Sequence, residues 1–297
     1  MKTILYATDC TVNDASSLKY AYRFSSIMKA DLHVLHVYEF PPISYLTIQH
    51  PDNLKKRMHR EQMELLDKYC KTSLKNEFQQ RPITTHVVES NSVSNSILRL
   101  SKILSPDLIF IGMKDSHSTR GYFSGNIANT LLESIEIPLL IIPNGMMYNT
   151  ISTIVYATDF EEYDIVSLKK LVEIAKPFSA LIEVIHVYKT NEEAPVKLLM
   201  EQFKDRVRKE LSYPEIAFKT IASSKIKSGL LSILNRENAN VLAMLERTHD
   251  WNLANLFHKD LVKDMESEIS IPLLVFNKHS MSIENPVFSI DDGVMAY

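Results

Sequence analysis

The chain has 297 residues, of which 45% are hydrophobic and 23% charged, with a formal net charge of −3. That balance is expected of a soluble globular protein long enough for two domains, each able to bury its own core. No long basic block is present to attract nucleic acid or anionic lipid, and no apolar run reaches the length of a membrane span. Two cysteines, Cys10 and Cys70, cannot build a disulfide framework and fit a reducing cytoplasm. Met1-Lys2 runs straight into an apolar strand, so no signal peptide is expected.

In chain order, residues 3–8 form a short β-branched apolar run that ends at Asp9 and predicts a buried parallel strand. Asn13 or Asp14 is placed to cap the next helix, whose apolar positions are Ala15, Leu18, Ala21, Tyr22 and Met28. Strand 32–38 follows, and so compact a strand–helix–strand unit predicts a parallel pair with a right-handed crossover. A charged stretch from about 53 to 80 carries Met58, Met63, Leu65, Leu66 and Tyr69 at amphipathic-helix spacing. Strand 83–88, a helix ended by Ser105-Pro106, strand 108–111, a helix over 127–135 and strand 138–142 complete the series.

The order then repeats. Thr3-Ile4-Leu5-Tyr6-Ala7-Thr8-Asp9 returns as Thr153-Ile154-Val155-Tyr156-Ala157-Thr158-Asp159, and Leu35-His36-Val37-Tyr38 as Ile185-His186-Val187-Tyr188, both 150 residues on. Ile137-Pro138-Leu139-Leu140-Ile141 returns as Ile271-Pro272-Leu273-Leu274-Val275, 134 residues on. Three matches in one order predict two copies of one domain, over 1–143 and 151–277, joined by a linker and followed by a 278–297 extension. The second copy is expected to have strands at 181–187, 216–221, 241–245 and 272–276, and its shortening falls mostly between its second and third strands. Alternating strands and helices make each half an α/β, Rossmann-like, doubly wound parallel sheet. Such sheets bind ligands at the carboxyl ends of strands, where strand order reverses. Asp9 and Gly112 end the first and fourth strands beside that point.

After the fourth strand the first copy reads Gly112-Met113-Lys114-Asp115 and, ten residues later, Gly125-Asn126 at the start of a helix. Glycine lets backbone approach a ligand, a helix N-terminus suits a phosphate, and Lys114 and Arg120 add positive charge. Here the chain resembles the universal stress protein family in its tandem form. The family pattern is Gly, two residues, Gly, nine residues, Gly, then Ser or Thr. This chain keeps that spacing from Gly112 to Gly125 but has Asp115 at the second glycine and Asn126 at the hydroxyl position.

The resemblance implies the adenine nucleotide alpha-hydrolase-like fold and an ATP-like adenine nucleotide, with or without magnesium, in the first copy. It places Asp9 against the adenosine, the Val37 backbone on the adenine, and Gly112, Asp115, Gly125 and Asn126 around the phosphates. Asp115 works against a polyanion: like charges about 4 Å apart repel by roughly 4 kcal/mol at an effective dielectric near 20, half of a micromolar affinity. Turning outward, accepting a ribose hydroxyl or holding magnesium would each avoid that. In the second copy Glu246, His249, Lys259 and Asp260 stand at the corresponding positions. Every glycine is lost, and a structural role is expected for that half.

Blander readings stand beside these. Asp9 and Asp159 also suit the turn that follows a strand. His36 and His186 read as satisfied core histidines, and no zinc spacing is present. Cys10 reads as either a thiol at the crevice or an inert one. Met146-Met147 reads as packing between domains. No acid–base pair or activated nucleophile can be assembled from neighbouring residues, so no catalytic residue is assigned. The resemblance also implies that the last strands of the two copies pair, making the chain an intramolecular pseudo-dimer, and it is compatible with a homodimer of chains. The expectation is a cytoplasmic stress-response or regulatory protein with a degenerate nucleotide site, the alternative being an interaction module without nucleotide.

Overall fold

The computed structural model describes residues 1–40, 51–79, 81–113, 127–128, 130–132, 134, 136–189, 192–246 and 269–277. Among the described residues ten strands are seen: β1 Thr3–Thr8, β2 Asp31–Tyr38, β3 Ile83–Glu89, β4 Leu108–Gly112, β5 Leu139–Ile142, β6 Thr153–Ala157, β7 Leu181–Tyr188, β8 Ile216–Ala222, β9 Val241–Glu246 and β10 Leu273–Asn277. The helices are α1 Ala15–Met28, α2 Pro51–Leu74, α3 Val93–Leu104, α4 Glu162–Ala175, α5 Glu193–Glu210 and α6 Ile226–Arg236. Residues 127, 128 and 130–132 are helical as well. Each expected strand is present to within a residue or so, because β-branched runs bounded by Pro, Gly or polar residues leave few alternatives.

The strands form one continuous sheet in the order β3-β2-β1-β4-β5-β10-β9-β6-β7-β8. Strand order in each half is 3-2-1-4-5, parallel throughout, and the strand sequence reverses between β1 and β4 in the first half and between β6 and β9 in the second. The halves meet at β5 and β10, which pair antiparallel with Leu140 opposite Leu274. Both leucines are 2% exposed, and burying each contributes roughly 1.5–3 kcal/mol. Asn277, at the end of β10, donates from its side-chain amide to the Leu132 carbonyl across the same seam.

Side chains alternate between two apolar layers, as a sheet covered on both faces requires. Ile4, Tyr6, Ile154 and Tyr156 point into one layer with α1, α2, α4 and α5. Leu5, Val37, Val155 and Val187 point into the other with α3, α6, Ala128, Leu131 and Leu132. The first layer is continuous across the halves, Phe24 of α1 lying 5.3 Å from Phe178 between ring centroids. Paired devices start both copies. The Asp107 carboxylate accepts from the Lys2 and Thr3 backbone amides, and the Asn240 side-chain oxygen accepts from those of Ser152 and Thr153.

Two local expectations change. The buried stripe of α2 is Leu66, Tyr69, Cys70 and Leu74, with Leu65 43% exposed, since one residue of helical rotation moves a side chain by 100°. In the 144–150 linker Met147 is 80% exposed, and of the two methionines Met146 packs against the core. The linker is tied down instead by Tyr148, edge-on to Tyr20 at 5.1 Å and under the Arg23 guanidinium at 5.8 Å. Among the described residues no helix is long and apolar enough to cross a membrane.

Candidate functional site

A cavity of about 420 Å³ opens where the strand order reverses in the first half, within the roughly 300–1,000 Å³ of small-molecule sites. Its floor is the carboxyl ends of three strands: Thr8 and Asp9 at the end of β1, Val37 and Glu39 at the end of β2, and Gly112 at the end of β4. One wall is the β3–α3 connection, Ser90 to Ser94, and Thr130 lies opposite. The topology therefore brings Asp9, Val37 and Gly112 together. Asp115, Gly125 and Asn126 lie outside the described residues, as do His249, Lys259 and Asp260 and the 278–297 extension.

The chain leaves β1 through a tight turn. Asp9 Oδ1 accepts from the Thr11 amide at 3.0 Å and the Thr11 hydroxyl at 2.7 Å, and Cys10 takes a left-handed φ of 61° while its amide donates to Thr8 Oγ1. Asp14 occupies the N-cap position of α1 but makes no capping bond to the helix backbone. Its carboxylate turns back to the strand end, where Oδ2 accepts from the Thr8 hydroxyl at 2.5 Å and from Tyr69 of α2 at 3.5 Å. Its Oδ1 would stand 2.5 Å from a Cβ on Gly112, and Ser17 Oγ 2.9 Å away. A Cβ at 112 would thus force the Asp14 carboxylate and the Ser17 hydroxyl aside at the lip of the cavity.

The second half repeats this knot around Asp164. Asp164 is 2% exposed and accepts from the hydroxyls of Tyr156 and Thr158 at 2.7 Å and from the Glu161 amide at 2.9 Å. Phe160 has the left-handed φ of Cys10, at 64°. Burial raises the Asp164 carboxyl above its ordinary range, opposed by the hydrogen bonds from Tyr156 and Thr158. Asp14 and Asp164 were missed as partners in the sequence. Their signal was present, since both stand six residues beyond the repeated threonine at the same spacing of 150.

The histidines are satisfied as expected. His36 Nδ1 lies 3.1 Å from the Thr8 carbonyl and Nε2 3.1 Å from the Gln62 side chain, and His186 Nδ1 lies 2.8 Å from the Thr158 carbonyl. His186 also stands 3.4 Å from Asp159. Burial, reinforced by Cys70 and Asp9, pushes the Cys10 thiol up to about 12, which makes it a poor nucleophile at neutral pH. Ser90 and Ser92 were not singled out from the sequence. Ser92 caps α3 by accepting from the Asn95 amide, and the Ser90 hydroxyl accepts from the Ser92 amide, which fixes the cavity wall. In the second half Gly229 brings α6 so close to β7 that an added Cβ would meet Val187 Cγ1 at 2.6 Å.

A doubly wound α/β sheet with this crevice is the adenine nucleotide alpha-hydrolase-like arrangement. Residues 1–143 match the model of the universal stress protein family. That match covers the first copy, just under half of the chain. A universal stress protein from Archaeoglobus fulgidus superposes with a TM-score of 0.62 at 14% identity, covering 93% of this chain and 96% of that one. A putative universal stress protein from Pseudomonas aeruginosa gives 0.59 at 13% identity, covering 93% of each. The cytoplasmic domain of a prokaryotic cation chloride cotransporter gives 0.54 at 11% identity, covering 92% and 94%. At these identities the likeness is one of fold. Comparison with curated protein sequences returns no significant match.

Proposed function

We propose that this protein is a cytoplasmic stress-response or regulatory protein whose first domain, residues 1–143, binds an adenine nucleotide, while the second, residues 151–277, serves as its structural partner. The two form an intramolecular pseudo-dimer across β5 and β10. The observation that carries this reading is the cavity of about 420 Å³ at the strand-order reversal, which gathers Asp9, Val37 and Gly112 at three strand ends. In this reading Asp9 would face the adenosine, and the Val37 backbone would read the adenine. In the second half Gly229 closes α6 onto Val187, which takes up the space beside the equivalent valine.

One observation favours a second reading, an interaction module without nucleotide. Asp9, Asp14 and Glu39 all line the cavity, and three carboxylates oppose a polyanion unless a cation accompanies it. Thermal-shift titration with ATP, ADP, AMP and adenosine, each with and without magnesium, separates the readings. Ligand at about 100 times its Kd stabilises by about 2.7 kcal/mol. No shift with any of the four at millimolar concentration supports the interaction module.

A further inference from the structure

At matched positions the two halves hold their outer strands together by different chemistry. In the second half Glu183 of β7 pairs with Lys219 of β8 at 2.7 Å, and Lys219 reaches on to Glu237 at the end of α6 at 3.0 Å. Glu183 is 2% exposed. The positions 150 and 133 residues earlier, the offsets that relate β2 to β7 and Ile83 to Ile216, are His33 and His86. The register agrees: Glu183 stands opposite Ala217 and His33 opposite Thr84, each pair's second member lying two residues further along. His33 Nδ1 and His86 Nε2 are 2.8 Å apart, with the rings stacked at 5.1 Å and 16°.

A carboxylate–lysine pair keeps its charges into mild acid, whereas an imidazole pair takes up protons there. The 2.8 Å contact holds one hydrogen between two nitrogens, so one ring donates and the other accepts. A first added proton goes to an outward nitrogen and leaves the bond intact. A second puts hydrogen on both facing nitrogens, removes the acceptor and sets two cations against each other. The surroundings offer little compensation. Asp31 on β2 is the nearby carboxylate, 79% exposed and already 3.8 Å from Arg81. On β1, Leu5 is opposite His33. On α3, Arg99 and Lys102 are exposed cations, and Leu104 stands where Glu237 stands on α6. Burial already lowers both imidazoles, with His33 adding to the effect on His86.

We propose that His33 and His86 form an acid-sensitive latch that releases β3 from β2, and with it the Ser90–Ser94 wall of the cavity, while the second half stays fastened through Glu183 and Lys219. Among the described residues β3 ends the sheet and β2 is the only strand that pairs with it, and β3 leads directly into the cavity wall.

Amide hydrogen exchange of the full chain at pH 7 and at about pH 5, corrected for intrinsic rates, tests the latch. Protection in residues 83–94 is expected to fall about tenfold more than in residues 216–227, the effect of a second proton disfavoured by about one pKa unit. His33→Glu with His86→Lys, which transplants the second half's pair, is expected to abolish the difference. Equal losses in the two segments would overturn the proposal, as would acid sensitivity that survives the transplant. Imidazole NMR titration of the unmodified protein gives an answer even if the double variant does not fold. Two coupled steps, the second well below an ordinary histidine, support the latch, and two independent ordinary titrations refute it. None of these measurements needs nucleotide, so their outcome is separate from that of the ligand titrations.

Discussion

Asp14 and Gly112 fit together so closely that a Cβ on the glycine would lie 2.5 Å from the carboxylate oxygen Oδ1. This contact sets the distance between the start of α1 and the end of β4, and so shapes one lip of the cavity. Gly112→Ala should cost about 1–3 kcal/mol through overpacking, read as a lower denaturation midpoint with an unchanged m-value. A variant as stable as the parent would mean that the lip yields easily.

Gly229→Ala gives the sharper test of sign. Within a helix such a change ordinarily stabilises by up to about 1 kcal/mol. Here the new methyl meets Val187 Cγ1 at 2.6 Å and Ser223 Cβ at 3.0 Å, and a valine γ-carbon cannot swing aside as a flexible chain end can. We expect net destabilisation of about 1–2 kcal/mol in urea melts. Stabilisation would show that α6 does not press on β7.

The buried Asp164 carboxyl predicts a pH dependence. Burial raises its folded-state pKa above the ordinary 3.8, so between that value and the raised one the folded state binds more protons than the unfolded. Stability contributed by this group is therefore full below about pH 3.8 and is lost as pH rises through the folded pKa. Asp164→Asn cannot titrate. The stability of the parent minus that of the variant, from urea melts at stepped pH, should decline as pH rises from about 3.8. A difference that grows with pH would mean that hydrogen bonds from Tyr156, Thr158 and Glu161 outweigh the burial.

The seam between the halves rests on Leu140 opposite Leu274. Each leucine changed to alanine should cost about 2–5 kcal/mol. The double variant should fall short of the sum by about 0.5 kcal/mol or more, because the two side chains share one contact. Strict additivity would indicate that the halves are not packed through this pair.

Strands were legible because the first and last strands of each copy keep the same letters, from Thr3–Asp9 to Thr153–Asp159 and from Ile137–Ile141 to Ile271–Val275. Asp9, Val37 and Gly112 could be brought together from topology alone, since all three stand at carboxyl ends beside the strand-order reversal. Asp14 was legible only as a helix cap. Its carboxylate prefers the Thr8 hydroxyl, a choice made by the turn at Cys10 rather than by helix rules. The correspondence of His33 and His86 with Glu183 and Lys219 was hidden twice, because no letter is shared and the offset changes from 150 to 133 between the two strands. Ser90 and Ser92 gave a capping pattern but no hint of the cavity, which exists only once β3 lies beside β2.

On the proposed reading, ligand enters the first half and not the second. Amide hydrogen exchange with and without millimolar ATP and magnesium measures this directly. Added protection is expected in residues 7–9, 37–39 and 90–97 and none in 157–160, 187–189 or 223–230. Protection confined to the second set, or none in either, would contradict it.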